Sequence, residues 1–200
     1  MNMKKNNTLG LGGQLTRKSL YLAMATISHL MLSATPALAG PAGGKVVGGS
    51  GSIDQSGLNT TIRQQTDRMA IDWQSFNVAA DERVKFIQPG SSSIALNRVL
   101  SHTGSEIHGQ IEANGQILLV NPNGVVFGKD SHINVGGIIA SGLHIDPNDF
   151  MNGDFTLTAI EGTEGKVINS GIINAATGGS VTLVGQQVET NNLVSANWAQ

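Results

Sequence analysis

The chain has 200 residues, of which 40% are hydrophobic and 13% charged, and this hydrophobic share excludes a disordered protein. With 12 basic and 14 acidic side chains, the formal net charge of −2 provides no basic footprint for a nucleic acid. There is no cysteine, which excludes a disulfide framework, while 26 glycines and only 4% aromatic residues are typical of short strands joined by tight turns.

The first 39 residues have the layout of a secretory signal peptide. Basic side chains (Lys4, Lys5, Arg17 and Lys18) precede a mostly apolar segment at 20–32. Small residues at Ala37 and Ala39 then suit cleavage between Ala39 and Gly40. The alternative is an uncleaved N-terminal transmembrane anchor. Residues 1–39 hold four of the basic and none of the acidic residues, so the remainder has a net charge of −6.

Residues 40–57 form a separate glycine-rich region. Part of it, GGSGS at 48–52, resembles the calcium-binding nonapeptide of β-rolls. Ile53 stands where that motif needs an aspartate, and the motif occurs in a single copy, so a calcium site is rejected.

From residue 58 to residue 200, short apolar runs alternate with Gly, Asn and Asp. No window beyond the leader has the apolar spacing of a helix. The predicted strands are 62–64, 69–73, 84–86, 94–96, 107–111, 117–120, 125–127, 133–135, 143–145, 155–158, 167–168, 172–173, 181–184 and 193–194.

An internal repeat predicts how these strands are arranged. SGIINA at 170–175 aligns with NNLVSA at 191–196, an offset of 21, and Val167 aligns with Val188. Residues 111–120 align with 173–184 at an offset of 62 to 64, close to three such periods. A period in the low twenties made of strands and turns is typical of a β-solenoid. About seven coils fit between residues 58 and 200, with a narrow stack of aliphatic side chains inside.

Asn121-Pro122-Asn123-Gly124 interrupts two apolar runs. Asn-Gly between such runs predicts a β-hairpin, whereas a solenoid requires a corner between two faces of one coil. The repeat favours the corner. Asn, Pro, Asn and Gly in this order fit a type I turn.

Six motifs occur in a fixed order along the chain: IDWQSFNV at 71–78, VKFIQP at 84–89, LNRV at 96–99, SEIHGQIEANG at 105–115, ILLVNPNGVVFG at 117–128 and NVGGIIAS at 134–141. In these motifs the chain resembles the N-terminal two-partner secretion domain of the filamentous haemagglutinin family, also called the haemagglutination activity domain, found in TpsA-type exoproteins. The resemblance spans residues 45–196.

The resemblance implies an all-β fold, a right-handed parallel β-helix with an N-terminal cap. Residues 40–57 would form the cap and residues 58–200 the β-helix secretion domain. It also implies export by the general secretory translocase and passage through a cognate outer-membrane β-barrel transporter, whose periplasmic domains recognise this region. The chain would then fold at the cell surface, where it would be secreted or retained, without catalysis or cofactor. The positions linked to secretion are Asn97, Asn121, Pro122, Asn123 and Gly124. LNRV stands where some family members have Asn-Pro-Asn-Leu, which leaves the subclass open.

The sequence is also compatible with other roles for the corner and for the whole chain. The 121–124 corner is equally a purely structural turn. The whole chain is alternatively an adhesin that binds a host surface or its glycans, or a β-helix polysaccharide lyase or glycosidase. The acidic pairs, Asp81-Glu82 and Glu161/Glu164, do not recur at the period, which disfavours an enzyme.

Scattered polar residues predict structural roles. Five asparagines, Asn97, Asn114, Asn134, Asn169 and Asn174, are predicted to form side-chain ladders between coils. The histidines at 102, 108, 132 and 144 do not converge, and the acidic segment 146–154 reads as a solvated turn, so no metal site is predicted.

Overall fold

The computed structural model describes residues 40–196, and the predicted signal peptide, including Ala39, lies outside them. Seventeen strands and one short helix follow each other in this part of the chain. The strands are β1 Lys45–Gly48, β2 Gly51–Ser56, β3 Asn59–Gln64, β4 Arg68–Trp73, β5 Arg83–Ile87, β6 Ile94–Val99, β7 Ser105–Ile107, β8 Gln110–Ala113, β9 Gln116–Val120, β10 Val125–Phe127, β11 His132–Val135, β12 Gly137–Ser141, β13 Lys166–Asn169, β14 Ile172–Ala175, β15 Val181–Val184, β16 Gln187–Thr190 and β17 Val194–Ala196, with helix α1 Pro147–Asn152 between β12 and β13.

The strands form three sheets that are the three faces of a parallel β-helix. The first sheet has the order β1-β4-β6-β9-β12-β15, the second β7-β10-β13-β16, and the third β2-β3-β5-β8-β11-β14-β17. From β3 onward, successive strands along the chain lie in different sheets, and each strand pairs with the equivalent strand one coil away. The predicted β-solenoid is therefore confirmed.

The cap has the opposite strand direction. β1 pairs antiparallel with β4, and β2 pairs antiparallel with β3, whereas the other strand pairs of the three sheets are parallel. An antiparallel pair needs only a tight turn, and Gly57, with φ of +56°, lies in the turn between β2 and β3. These two strands lie in the glycine-rich region 40–57 and were not predicted as strands, because together they contain only three large apolar residues, Val46, Val47 and Ile53.

Register in the parallel part is in phase from coil to coil. Ile111 of β8 pairs with Ile133 of β11, which pairs with Ile173 of β14, which pairs with Val194 of β17. The side chains of Ile111, Ile133 and Ile173 form one column of the main core and are at most 1% exposed, whereas Val194 in the last coil is 37% exposed. The core also takes in large aromatic rings near the cap, where Trp73 and Phe76 meet edge to face at 5.4 Å. The predicted interior was purely aliphatic, so this part of the prediction was wrong.

The structure corrects the predicted number of coils. Val167 pairs with Val188 and Ile173 with Val194, which confirms the offset of 21. The offset of 62 between Ile111 and Ile173, however, spans two coils and not three. One coil is enlarged by an excursion at residues 142–165, so the third sheet has six parallel strands where about seven coils were expected.

The excursion covers the outer face of the first sheet. Phe150 of α1 is fully buried and packs in a second apolar cluster with Leu96, Leu118 and Val120. The prediction of a solvated turn at 146–154 was wrong here, because this phenylalanine anchors a capped helix. Strands were also predicted at 143–145 and 155–158, but the structure has only an isolated antiparallel bridge between His144 and Thr158. No helix of the described residues is long and apolar enough to cross a membrane.

Candidate functional site

The 121–124 segment is a corner between two sheets. β9 of the first sheet ends at Val120, and β10 of the second sheet begins at Val125. The N–H of Gly124 donates to the carbonyl of Asn121 at 2.9 Å, and the N–H of Asn123 donates to Asn121 Oδ1 at 3.0 Å. The first bond closes a four-residue turn, and the second adds an Asx turn. The predicted corner is confirmed, and the hairpin is excluded because β9 and β10 do not pair.

Asn121 joins three successive coils. Its Nδ2 donates to the carbonyl of Thr103 and to Ser105 Oγ, both at 3.0 Å, in the preceding coil. Its backbone N–H donates to the carbonyl of Ser141 in the following coil at 3.0 Å. The residue is 0% exposed, so its amide acts inside the fold.

The rest of the corner is held in the same way. Pro122 is buried, and its carbonyl accepts the N–H of Gly165 at 3.0 Å. Gly124 has φ of +109°, which L side chains rarely adopt, and a Cβ there would lie 3.0 Å from the carbonyl oxygen of Lys166. Asn123 is half-buried and donates from Nδ2 to the carbonyl of Ser101 at 2.8 Å. Of the four residues, Asn123 is therefore the most accessible.

Asn97 lies apart from the corner, on the inner side of β6. Its Oδ1 accepts the indole N–H of Trp73 at 3.0 Å, and its Nδ2 donates to the carbonyl of Ala95 at 3.2 Å. It is 0% exposed. In register it pairs with Leu119, two residues before Asn121, so the five predicted site residues occupy neighbouring coils but do not converge on one surface.

A groove of about 320 Å³ opens beside the corner. Asn123 and Gly124 form one wall, and Val126 and Ile168 from the outer face of the second sheet form its apolar floor. Glu106 and Lys166 add opposite charges, and Lys166 Nζ lies 2.9 Å from Glu189 Oε1. This groove is the solvent-facing part of the corner.

Sequence reasoning missed the residues that hold the corner in place, Ser101, Thr103 and Ser105. Ser101 precedes Asn123 by 22 residues, and its backbone carbonyl accepts the Asn123 side-chain amide from the neighbouring coil. The repeat period therefore carried this signal, because residues one period apart stack on each other. The missed contacts run from the side-chain amides of Asn121 and Asn123 to the carbonyls of Thr103 and Ser101 and to Ser105 Oγ in the preceding coil.

The predicted asparagine ladder is confirmed for one pair. Asn174 Nδ2 donates to Asn134 Oδ1 at 3.1 Å, and Ser195 Oγ continues the row by donating to Asn174 Oδ1 at 2.8 Å. The other three asparagines make different bonds. Asn97 bonds to Trp73, Asn114 exchanges hydrogen bonds with the backbone of Gln88, and Asn169 Oδ1 accepts the N–H of Gly171.

Titratable groups in the described chain serve local structure. The backbone N–H of Asn148 donates to Asp146 at 2.7 Å and lowers the pKa of this N-cap carboxyl, and the N–H of Asp149 adds to the effect. The hydroxyl and the N–H of Thr156 likewise lower the pKa of Asp154. Within residues 40–196 no three His, Asp or Glu side chains are grouped so that they could hold a metal ion.

Comparison with known proteins gives a consistent result. The family model described as "TPS secretion domain" matches residues 37–198. The HMW1 secretion domain from Haemophilus influenzae has a similar structure, with a TM-score of 0.76 and 35% sequence identity over 79% of this chain and 42% of that one.

Two relatives are both named "Heme/hemopexin-binding protein" and come from Haemophilus influenzae. One is 39% identical over 142 residues, which is 68% of this chain and 16% of the relative. The other is 36% identical over 121 residues, 60% of this chain and 13% of the relative. The chain thus corresponds to about one sixth of the length of these proteins or less.

Proposed function

This chain belongs to the TPS secretion domain family of TpsA-type exoproteins, and from this membership we propose that it is the part of an exoprotein that a cognate outer-membrane β-barrel transporter recognises. Periplasmic domains of the transporter bind the chain, which then crosses the outer membrane and folds into the β-helix at the cell surface. The domain has no catalytic role and needs no cofactor.

The proposed route begins with residues 1–39 as a signal peptide. The general secretory translocase carries the chain to the periplasm, and cleavage falls between Ala39 and Gly40. Residues 40–57 then act as the cap, and residues 58–200 as the secretion domain. In support, β1 and β2 of the cap region run antiparallel to the first parallel strands, whereas residues beyond 58 form the parallel stack.

The burial of Asn121 in the corner is the observation that supports recognition of the chain before it folds. Asn121 is 0% exposed and bonds to both neighbouring coils, so a transporter cannot contact its amide in the folded β-helix. We infer that the transporter reads Asn121-Pro122-Asn123-Gly124 before the chain folds. The side-chain amides of Asn121 and Asn123 then close the corner at the cell surface, so these two residues act twice.

The test is secretion of Asn121→Ala in a Gram-negative host that also expresses the cognate transporter. We expect this variant to lose its signal peptide and accumulate in the periplasm, with at least a fivefold lower level in the medium. Immunoblots of the medium and of the periplasmic fraction measure both quantities. Equal levels of Asn121→Ala and the unchanged chain in the medium would exclude recognition of the corner.

Two matched variants separate recognition from folding. Ser105→Ala removes an acceptor of the Asn121 amide without changing the corner sequence. It weakens the folded corner but leaves the recognition sequence intact, so we expect normal secretion. Asn134→Ala removes an exposed amide of the third sheet and should also be secreted normally. Retention of Ser105→Ala in the periplasm to the same extent as Asn121→Ala would show that folding alone limits export.

The names of the two relatives suggest heme or hemopexin as ligands of those proteins. For this chain we place such binding, and adhesion to a host surface, outside the proposed function. The secretion role rests on the portion that is shared with the relatives, whereas most of their length has no counterpart here.

A further inference from the structure

Glu82 is a buried carboxylate under the N-terminal cap. It lies just before β5, and the residue is only 6% exposed. Its Oε2 accepts the N–H of Ala79 at 2.6 Å, but no basic side chain of the described chain forms an ion pair with it. The adjacent Arg83 instead directs its guanidinium to Gln110 and Glu112. A buried carboxylate is costly unless it is paired, so a cation is expected here.

The backbone of Gly40 lies against this carboxylate. A Cβ built on Gly40 would be 3.2 Å from Glu82 Oε1, which puts the nitrogen of Gly40 within about 6 Å of the same oxygen. Both residues line a cavity of about 160 Å³, which Pro41, Gly43 and Gln55 also line. The cavity leaves room for an ammonium group to reach the carboxylate.

The position of Gly40 is set by the residues that follow it. Gln55 Nε2 donates to the carbonyl of Pro41 at 2.6 Å. The N–H of Ala42 donates to the carbonyl of Ser75 at 2.8 Å, and the N–H of Gln74 donates back to the carbonyl of Ala42 at 3.0 Å. These hydrogen bonds attach the start of the cap to the first coil, and they fix the position of Gly40 beside Glu82.

We propose that this cavity is a binding site for a primary ammonium group, and that its ligand is the chain's own α-ammonium on Gly40. The inference rests on the proposed signal cleavage between Ala39 and Gly40. In that step water is added across the peptide bond. The carbonyl carbon of Ala39 gains the oxygen and leaves as a carboxylate, and the nitrogen of Gly40 takes the protons and becomes an ammonium.

Before cleavage the nitrogen of Gly40 is an uncharged amide, and the leader continues from it. A chain that folded with its leader still attached would leave Glu82 without a cation, and its cap would be less firmly attached to the first coil. Cleavage creates the α-ammonium of Gly40 beside the Glu82 carboxylate. The ion pair therefore stabilises the cap only in the processed chain. The stability of the N-terminal end of the β-helix thus depends on removal of the leader.

The experiment compares four processed chains in thermal unfolding followed by circular dichroism. Two chains start at Gly40, and the other two start at Ala39, which moves the ammonium one residue away from Glu82. In each pair, one chain keeps Glu82 and the other has Glu82→Gln. The glutamine can still accept the N–H of Ala79. We expect the extra residue to lower Tm by about 4 °C with Glu82 but by less than about 1 °C with Glu82→Gln, because only the carboxylate distinguishes the two positions of the charge.

A second measurement does not depend on unfolding. An amine is acylated only in its uncharged form, so pairing with Glu82 should slow acylation of the Gly40 amine at neutral pH. We expect Glu82→Gln to react about tenfold faster, as a change of one pKa unit would produce. Mass spectrometry of the N-terminal peptide follows the reaction. The lysine at position 45 provides an internal reference rate.

The outcomes distinguish this inference from the proposed function. Mass spectrometry first gives the N-terminus of chain collected from the periplasm. An N-terminus other than Gly40 would overturn both the cleavage position and the ion pair. An N-terminus at Gly40 with the same Tm penalty and the same acylation rate in both backgrounds would overturn the ion pair alone and leave the secretion role intact.

Discussion

At the scale of single residues, buried amides hold neighbouring coils together. Asn97 and Asn121 are each 0% exposed, yet both satisfy their side-chain groups inside the fold. Removal of one partner of a buried hydrogen bond leaves the other without compensation, which costs about 1–3 kcal/mol. The amide positions are therefore sites where a small substitution should have a large effect.

Asn121→Ala should lower the free energy of unfolding by about 3 kcal/mol. The substitution leaves Thr103, Ser105 and Asn123 without the groups to which they bond, and the site cannot admit water freely. Urea unfolding of the purified protein measures the change. Asn123→Ala removes one bond of a half-buried side chain and should cost about 1 kcal/mol. Equal losses in the two variants would contradict the role of Asn121 in joining three successive coils.

Asn97→Ala should cost about 2 kcal/mol, because the indole N–H of Trp73 loses its acceptor inside the core. Trp73→Phe removes the donor instead. If the hydrogen bond is responsible, the double variant should be more stable than the sum of the two single losses predicts, by about 1 kcal/mol. Strictly additive losses in urea unfolding would show that packing, and not the hydrogen bond, accounts for the effect.

At the scale of elements, the excursion at residues 142–165 behaves as a cover for one sheet. Asp146 caps α1, and Phe150 is buried and meets Phe155 edge to face at 5.5 Å. Arg68 of β4 fixes the end of the helix by donating to the carbonyl of Met151 at 3.3 Å. A six-residue helix is not stable alone, so its attachment depends on these contacts.

Phe150→Ala should release the excursion without unfolding the β-helix. A buried phenylalanine contributes about 3–5 kcal/mol, which exceeds what the remaining contacts of a short helix provide. Hydrogen exchange by mass spectrometry should show faster exchange at residues 142–165 and unchanged protection of β6 and β9. Phe155→Ala is the matched control, since this ring is 39% exposed and its loss should have a smaller effect.

The cap of α1 should depend on pH in a defined direction. Hydrogen bonds, first from the N–H of Asn148, lower the pKa of Asp146 in the folded state. A carboxyl with a depressed folded pKa stabilises the fold above its unfolded pKa of about 3.9, and this contribution is lost as pH falls through the folded pKa. The amide resonance of Asn148 should thus be constant from pH 7 to pH 5 and shift below about pH 4. Asp146→Asn should abolish the shift.

At the scale of the whole molecule, the excursion is an insertion into an otherwise regular stack. Its ends are adjacent, since a Cβ on Gly142 would lie 2.9 Å from the Cα of Gly165. Ile138 pairs with Val181, an offset of 43, whereas Ile117 pairs with Ile138, an offset of 21. Deletion of residues 143–164 would return the enlarged coil to the length of its neighbours.

This shortened chain should keep its β spectrum in far-UV circular dichroism but expose the outer apolar face of the first sheet. We expect stronger binding of a hydrophobic dye and earlier aggregation, because Leu96, Leu118 and Val120 lose their cover. Leu96→Thr with Leu118→Thr in the shortened chain should reverse the dye binding. Loss of the β spectrum on shortening would mean that the excursion is required for the stack.

The same feature explains what could be predicted from the sequence. The corner at 121–124 was predictable because turn chemistry is local, and the repeat of 21 was visible where two coils follow each other without interruption. The number of coils was not predictable, because the insertion nearly doubles the length of one coil. Two coils therefore span as many residues as three regular periods. Helix α1 offered too few apolar positions for a periodic pattern, and the isolation of Glu82 depends on contacts far apart in the sequence.

The direction of the cap strands has a consequence for self-association. An exposed edge of a parallel stack is a template onto which another molecule could add a matching strand in the same sense. On the first and third sheets β1 and β2 occupy that edge at the N-terminal end and present a backbone of reversed polarity. Another molecule that stacked head to tail on this end would therefore have to pair antiparallel on two of the three faces, so the parallel hydrogen-bond pattern does not continue through the cap.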